Sequence, residues 1–487
     1  MKDRYKRVLL CMPTLPGVYA APSSPSITLG YLSEVLIDNK IEHEIFDMRF
    51  GYTLEELKKK IKEFKPDLIG FSIFTYHHDI PYDYAKSIKK DFPNIHILFG
   101  GPHASTVKSQ ILEESIADYG LIREGENAIL SLCKGKKLSE IDSLIFREKG
   151  KVIQNQEGPF VDVTRLSFPK YEKFELNRYL RKQINIMTSR GCPYSCTYCS
   201  IKTTVGRQMR MRTPKHVAEE VKYWYDKDYR NLDFTDDNFA FDRERTLGIC
   251  EEISKMNFKD LKISVCNGIR ADKVDREVLT QMKKMGVSEI SIGVDGGNNK
   301  VMKASKRGET VEQIDEAIKI ACELDYIVNL FFIVGMPQET MEDVKESIKL
   351  ALKYPVNNAN FYNAVPFPGT ELYDYIKKNK LFVVKDPDYL NDTAHFDDPI
   401  FTTSEFPLKE RRKMLKMTKK AEKEILRRTF VRKLKKFGII SEISSHIIFY
   451  KPVYKTLQNL TYKSPSFKKA LILLTEKFNL RRMESIR

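Results

Sequence analysis

A short apolar run, Ile184-Asn185-Ile186-Met187-Thr188, reads as a strand and is broken by Gly191 and Pro193. Cys192, Cys196 and Cys199 fall at that break in a C-x3-C-x2-C spacing. Three thiols this close do not pair neatly into disulfides. As thiolates they are soft anionic ligands suited to iron, able to hold one face of an iron–sulfur cluster. A cube with four iron corners held by three cysteines leaves one corner open to a small molecule. A zinc site or three unconnected thiols are the alternatives. Zinc usually takes four protein ligands as two separated pairs, and no second C-x2-C or H-x3-H lies nearby.

The flanking sequence repeats one pattern, strand then helix. Before the cysteines, strands read as Arg7–Met12, His43–Asp47, Asp67–Ser72, His96–Phe99 and Gly120–Arg123. Between the second and third, Thr53-x-x-Glu56 is a capping box, and Leu54, Leu57, Ile61 and Phe64 recur at helical spacing. Such alternation predicts a parallel, doubly wound sheet whose ligands bind beyond the strands' carboxyl ends. Residues at those ends are Pro13-Thr14, Ser72 to His78, Gly100-Gly101-Pro102-His103 and Glu124-Gly125-Glu126-Asn127. No G-x-G-x-x-G follows the first strand, which argues against a dinucleotide. From 184 the strands read as Ile184–Thr188, Leu232–Thr235, Lys262–Cys266, Glu289–Val294, Val328–Val334 and Asn360–Val365. Thr213-Pro214 and the Thr310-x-x-Gln313 box start helices, and Gly286 ends one. Six such repeats predict a partial (βα)6 TIM-type barrel with its site at the strands' carboxyl ends.

The cysteine spacing, with Tyr198 just before the third cysteine, resembles the radical S-adenosylmethionine (SAM) superfamily. The first 134 residues resemble the cobalamin-binding domain that precedes the motif in one subclass. Pro22-x-x-Pro25, Leu29-Gly30-Tyr31-Leu32, Phe46-Asp47, Gly70-Phe71-Ser72, Gly100-Gly101-Pro102-His103 and Gly125-Glu126 carry this likeness. The resemblance covers residues 1 to about 385. It implies a [4Fe–4S] cluster on Cys192, Cys196 and Cys199, SAM on the open iron, and cobalamin in the N-terminal domain. Implied SAM contacts are Tyr198, Asp236, Asp237, Arg270, Gly293, Asp295, Gly335 and Pro366. Implied cobalamin contacts are Ser72, Thr75, Gly100, Gly101, His103, Gly125 and Glu126. The guanidinium fork of Arg270 suits the SAM carboxylate, a surface salt bridge being the alternative. Where the superfamily's fourth strand usually ends E-S-G, this chain has Asp295-Gly296-Gly297, which leaves that serine contact without a residue. A D-x-H-x-x-G motif is absent, so no histidine is expected on cobalt, with His77, His78 and His103 at the ligand's periphery.

The implied activity is methylation of an unactivated carbon through a 5′-deoxyadenosyl radical, with methylcobalamin delivering the methyl group. Cyclisation, rearrangement and an RNA-directed enzyme without cobalamin are the alternatives. A flavodoxin or ferredoxin would supply the electron. Methylthiotransferases of the superfamily carry a second cluster on three N-terminal cysteines, and this N-terminal half has two, Cys11 and Cys133. These two, with Cys250, Cys266 and Cys322, read as ordinary buried thiols.

The expected organisation is a cobalamin domain over 1–134, a linker with a small excursion over 135–183, the barrel over 184–385 and a basic, mostly helical region over 386–487. Residues 408–487 hold 23 Lys and Arg against 6 Asp and Glu, so the net charge of +16 belongs entirely to this tail. Leu408–Phe437 has a helical stripe through Met414, Met417, Ala421 and Ile425, and Ser466–Leu480 repeats the theme. A basic amphipathic helix suits an anionic membrane surface, which fits a small-molecule or lipid substrate; nucleic acid and a packed helical cap compete with that reading. No signal-peptide pattern opens the sequence, and the cysteine usage fits a reducing compartment. The expected location is cytoplasmic, with peripheral contact at the inner membrane face.

Overall fold

The structure, a computed structural model, describes residues 3–15, 22–385, 388–391 and 398–450, with isolated positions between 452 and 471. The N-terminal sheet has seven strands: β1 (Arg7–Met12), β2 (Glu42–Asp47), β3 (Leu68–Ser72), β4 (His96–Gly100), β5 (Tyr119–Leu121), β6 (Leu144–Glu148) and β7 (Lys151–Gln154). Their order is β2-β1-β3-β4-β5-β6-β7. The first five strands are parallel, and β6 and β7 add an antiparallel hairpin at the edge. The chain reverses its direction of winding at β1, so the carboxyl ends of β1 and β3 flank the switch point where such sheets bind ligands. β3 is buried along its whole length, as a strand covered by helices on both faces must be. The Thr53–Glu56 capping box forms as the sequence indicates and starts the helix Leu54–Phe64.

A two-stranded hairpin follows, β9 (Ser189–Arg190) with β10 (Arg210–Met211), and the cysteine loop is the excursion between its strands. The third sheet contains β8 (Gln183–Ile186), β11 (Asn231–Phe234), β12 (Lys262–Ile269), β13 (Val287–Asp295), β14 (Ile327–Val334) and β15 (Asn358–Asn363). It runs in sequence order, β8-β11-β12-β13-β14-β15, the topology of a partial (βα)6 barrel.

By compactness the chain divides into two units, Met1–Asp237 with Pro366–Ala394, and Asn238–Val365 with His395–Arg487. The division falls inside 184–385 because the cysteine hairpin is bound to the N-terminal sheet, as described below. Residues 135–183 are more than a linker. They contribute β6 and β7, and then pack along the first unit. Lys170 donates its N–H to Glu34 at 2.6 Å, and the Tyr179 hydroxyl donates to Asp47 at 2.9 Å. Tyr171 is buried against Phe174 and Trp224 and lies directly over Gly30.

The long C-terminal helix, Leu408–Lys433, ends before the residues expected of it, and a 3-10 turn covers Lys435–Phe437. A second helix, Ile439–Ile448, follows Gly438. The expected Ser466–Leu480 helix lies almost wholly outside the described residues. Among those described, no helix is long and apolar enough to cross a membrane. Cys11, Cys133 and Cys250 are buried as expected, whereas Cys266 and Cys322 are only half-buried.

Replacing Tyr171 by alanine is expected to cost about 3–5 kcal/mol, the usual range for emptying a buried aromatic site. Tyr171→Phe should be close to neutral, since the hydroxyl is buried without a hydrogen-bond partner. Denaturation midpoints of the two variants check this.

Candidate active site

In the first unit the three cysteines share one loop. Cys192 donates its N–H to Gly206 at 3.2 Å, Cys199 donates to Cys196 at 3.1 Å, and all three side chains are half-buried. Gly191 opens the loop at φ +97°, and a Cβ there would collide with the Gln208 carbonyl. Only glycine fits both demands. Burial pushes the Cys199 thiol up to about 11, and the nearby Cys196, Cys192 and Asp237 push in the same direction. The loop thus gathers groups that repel one another as anions, and a multivalent cationic group relieves that repulsion. Among the described residues, no three His, Cys, Asp or Glu side chains converge on a single metal ion. A cluster holding each cysteine on a different iron does not require such convergence.

The two aspartates after β11 face this loop. Asp236 is buried and accepts from the Thr188 N–H at 2.6 Å, the Ser189 hydroxyl at 2.6 Å and the Thr188 hydroxyl. Asp237 accepts the Gly191 N–H at 3.0 Å, and burial raises its carboxyl to about 6. Both carboxylates therefore fix the chain just before Cys192. Tyr198 is half-buried within the loop, and Thr197 beside it accepts the Leu372 N–H at 2.9 Å. The Pro366 carbonyl accepts a hydrogen bond from the Tyr389 hydroxyl.

The hairpin that carries the loop is held to the turn after β5. Arg190, buried, pairs with Glu124 at 2.9 Å and Glu126 at 2.8 Å, its guanidinium over the Tyr31 ring. Arg210 pairs with Glu124 at 2.6 Å and donates to the carbonyls of Val161 and Val205. Burial alone would raise the Glu124 carboxyl, but the two arginines hold it below its ordinary value. Glu126, expected at a cobalamin, is thus committed to Arg190, and Gly125 caps the helix Glu126–Cys133.

At the switch point, Gly101 has φ +94° and a Cβ there would press on the Ile73 backbone. His103 donates its N–H to the Ile73 carbonyl at 3.0 Å and stacks on His78 with ring centroids 4.3 Å apart. Its Nε2 meets the Tyr82 hydroxyl at 2.9 Å, while its Nδ1 is buried without a partner. Burial, with His78 adding, pushes the His103 imidazole down to about 3, so it is neutral. Ser72 and Thr75 are buried beside it, His78 bonds the Thr75 carbonyl through Nδ1, and Gly100 ends β4. Leu15 and Phe74 stand out in contrast, exposed at 38% and 56% just beyond the ends of β1 and β3.

In the second unit, Arg270 and Asp295 belong to a buried ion network. Arg270 donates Nε to Asp272 at 2.9 Å and Nη1 to the Arg307 carbonyl at 2.8 Å. Arg307 bridges Asp295 at 3.1 Å and Glu309 at 2.6 Å, and donates to the Gly293 carbonyl at 3.0 Å. Arg270 is buried, so its ion pair is not the surface salt bridge expected as the alternative, and its Nε and Nη1 are taken by protein groups. After β14, the Gly335 and Met336 N–H groups both donate to Glu339, at 2.6 and 2.9 Å. The Gly335 carbonyl accepts from Arg411 of the long C-terminal helix at 2.6 Å. Arg411 is buried over the Phe401 ring, and burial lowers its guanidinium to about 10.

Arg190, Arg210, Glu309, Arg307, Glu339 and Arg411 are thus site residues that spacing does not single out, whereas Glu124 opens the strand-end run Glu124-Gly125-Glu126-Asn127. Of the six, only Glu339 had a local signal, four residues after Gly335.

Two family models match the chain, the radical SAM superfamily over residues 186–351 and a B12-binding domain over 17–132. The chain thus carries a radical SAM domain preceded by a B12-binding domain. An uncharacterized methyltransferase of Pyrococcus horikoshii is 27% identical over 390 residues, covering 77% of this chain and 84% of that protein. An anaerobic magnesium-protoporphyrin IX monomethyl ester cyclase of Cereibacter sphaeroides is 24% identical over 401 residues, 76% and 65% of the two chains. The solved structure of the cobalamin-dependent radical SAM enzyme OxsB, with aqua-cobalamin and SAM bound, superposes with a TM-score of 0.73 at 18% identity, covering 99% and 76% of the two chains. A cluster, SAM and cobalamin are the cofactors of this group, as the motifs imply.

The residues present fit those groups. Three soft thiols that repel as anions suit an iron cluster. Leu15 and Phe74, exposed just beyond the carboxyl ends of β1 and β3, offer a large macrocycle an apolar edge at the switch point.

Replacing Arg190 by methionine leaves Glu126 buried without its cation and should destabilise the first unit by about 3–5 kcal/mol. A lowered denaturation midpoint, together with iron incorporation reduced more than in a surface control such as Arg165→Met, is the expected result. Glu339 gives a pH signature. Burial raises its carboxyl to about 8, against the lowering by the Met336 and Gly335 N–H groups and Arg411. The unfolded chain loses this proton near 4.5, so the folded state binds more protons between there and about 8. Stability should fall as pH rises through that window. Glu339→Gln keeps an acceptor for the two N–H groups and should flatten the fall, measurable by chemical denaturation at both ends of the window.

Proposed function

We propose that this chain is a cobalamin-dependent radical SAM methyltransferase acting on an unactivated carbon of a small, lipid or lipid-linked molecule. One observation carries the reading: the hairpin bearing the three cysteines is ion-paired to the B12-binding domain, through Arg190 and Arg210 on Glu124 and Glu126. A chain that bound the two cofactors for separate tasks would have no need of this direct tie.

Cys192, Cys196 and Cys199 would hold the cluster. Ser72, Thr75, Gly100, Gly101, His103 and Gly125 would border the corrin, and a flavodoxin or ferredoxin would bring the electron. When bound, these groups supply reductive SAM cleavage to a carbon-centred radical and a methyl donor that a substrate radical can meet.

The chain's own residues supply position and environment. Gly191 makes the turn that presents Cys192, and Asp237 holds the Gly191 N–H. Asp236 ties Thr188 and Ser189, so the strand end cannot shift without losing three buried hydrogen bonds. His103, neutral and locked between His78 and Tyr82, adds no charge to the switch point. Gly335 is pinned from both sides by Glu339 and Arg411, which fixes a backbone turn expected to border SAM.

Cyclisation on the same cofactors is the second reading, favoured by the likeness to the anaerobic cyclase. Methyl-deuterated SAM, supplied with extracts of metabolites and lipids, separates the two: label in a product supports methylation, and a product two hydrogens lighter without label supports cyclisation.

Two outcomes are expected of the reconstituted protein. Cys196→Ala should abolish formation of 5′-deoxyadenosine while leaving far-ultraviolet circular dichroism unchanged; retained SAM cleavage would refute the cluster assignment. Paramagnetic resonance of the Co(II) form should show no nitrogen superhyperfine splitting, because the sequence has no D-x-H-x-x-G histidine to supply an axial imidazole. A split signal would place an imidazole on cobalt.

A further inference from the structure

The basic tail does not use its most obvious apolar stripe for any external partner. Met414, Leu415, Ala421, Ile425, Leu426 and Phe430 of the long helix are all buried. The same helix is bonded into the second unit: Glu422 accepts the Phe361 N–H at 2.7 Å, and the Thr429 hydroxyl bonds the Val356 and Asn357 carbonyls at 3.1 Å each. The stripe expected to face a membrane is therefore spent on the protein, and most of the helix's basic residues, buried Arg411 apart, form its solvated back.

The helix after it differs. Ile439, Ile443 and Ile447 recur every fourth residue and so share one face. They are exposed at 75%, 55% and 58%, and Tyr450 continues the stripe at 62%. The opposite face is already satisfied, with Ser441 and Ser445 buried and Phe449 packed on Leu426 and Phe430. Three isoleucines and a tyrosine lined up in water are a patch rather than scattered surface residues.

At the elbow between the two helices, reaching the Ser441 side of the second one, lies a cavity of about 560 Å³ bordered by Arg427, Arg428, Arg432, Lys435 and Glu442. Two carboxylates temper its charge. Glu424 pairs with Arg427 and Arg428 at 2.9 Å each, and Glu442 lies 3.5 Å from Arg427. Four cations against two carboxylates leave the elbow positive, and Lys435 is exposed.

We propose that this elbow docks on an anionic lipid bilayer, with the Ile439–Ile443–Ile447 face in the interfacial layer and the elbow's cations, exposed Lys435 among them, reaching lipid phosphates from its flank. Charge and apolarity together select the occupant. An apolar helix face beside a cluster of cations matches the boundary between acyl chains and anionic headgroups, where a tyrosine also sits well. Nucleic acid would use the cations but would leave three isoleucines in water. The inference concerns binding alone and rests on the methyltransferase reading only in that a bilayer would present the lipid substrate proposed above. A binding assay therefore fails or succeeds independently of that chemistry.

The test is co-sedimentation of the full-length reconstituted protein with vesicles of phosphatidylcholine alone and of phosphatidylcholine with phosphatidylglycerol. The wild type should prefer the anionic vesicles, and the preference should shrink as salt rises. A triple variant, Ile439→Ser with Ile443→Ser and Ile447→Ser, should bind anionic vesicles about tenfold more weakly or worse. Its circular dichroism and its formation of 5′-deoxyadenosine should match the wild type. Arg428→Gln with Lys435→Gln should lose the preference for anionic lipid. Wild-type protein that ignores vesicles, or a triple variant that binds them as well as the wild type, would overturn the proposal. So would a triple variant whose only change is a smaller oligomer in light scattering, since the stripe would then be a contact between copies of the chain. Binding lost only when the chain is cut after Tyr450 would also overturn it, moving the site to residues beyond the elbow.

Discussion

The structure depends most on the four-residue ion network of Glu124, Glu126, Arg190 and Arg210. Burying two carboxylates and two guanidiniums costs solvation, and such pairs return little net stability compared with apolar packing. What they offer is registration. Arg190 lies two residues before Cys192, and Glu124 and Glu126 form the turn after the fifth parallel strand. A guanidinium held between two carboxylates has few other places to go. The cysteine loop is therefore positioned by the B12-binding domain itself, in addition to its own strand. A cysteine cluster alone, or a doubly wound sheet alone, would fit many activities; the tie between them is what narrows the choice.

The same device recurs in the second unit with different parts. Arg307 bridges Asp295 and Glu309, and Arg270 joins Asp272 to the Arg307 carbonyl. Glu339 and Arg411 clamp Gly335 from opposite sides. In each case a turn at the carboxyl end of a strand is fixed by buried polar or charged side chains, whereas the strands themselves are fixed by apolar burial. This division explains how loops rich in Gly and Pro hold one conformation. It also gives the long C-terminal helix a role, since one of the clamping residues comes from it.

Much of this was legible from residue order. The parallel strands of both sheets lie within three residues of where apolar runs and glycines place them, because those runs are buried on both faces and carry an unmixed signal. Both capping boxes formed for the same local reason. The hairpin Leu144–Gln154 was missed as structure although Lys149-Gly150 marks its turn, since it lies in a stretch whose other residues follow no period. Arg190, Arg210 and Arg411 were not legible as buried residues. A lone arginine reads as surface, and their partners are 66, 86 and 76 residues away in the chain. Arg270 carried the right chemistry for a carboxylate but met carboxylates of the protein. The apolar stripe of the tail was read correctly as a stripe; what it faces is decided by tertiary contacts that periodicity does not contain.

The central claim is that one chain holds both cofactors, and metal content tests it most directly. The full-length protein, reconstituted without oxygen in iron, sulfide and hydroxocobalamin and then passed through gel filtration, should elute with iron and cobalt together in a ratio of about four to one. Iron retained without cobalt would contradict the account, because the sheet that anchors the cysteine loop would then serve only as a scaffold.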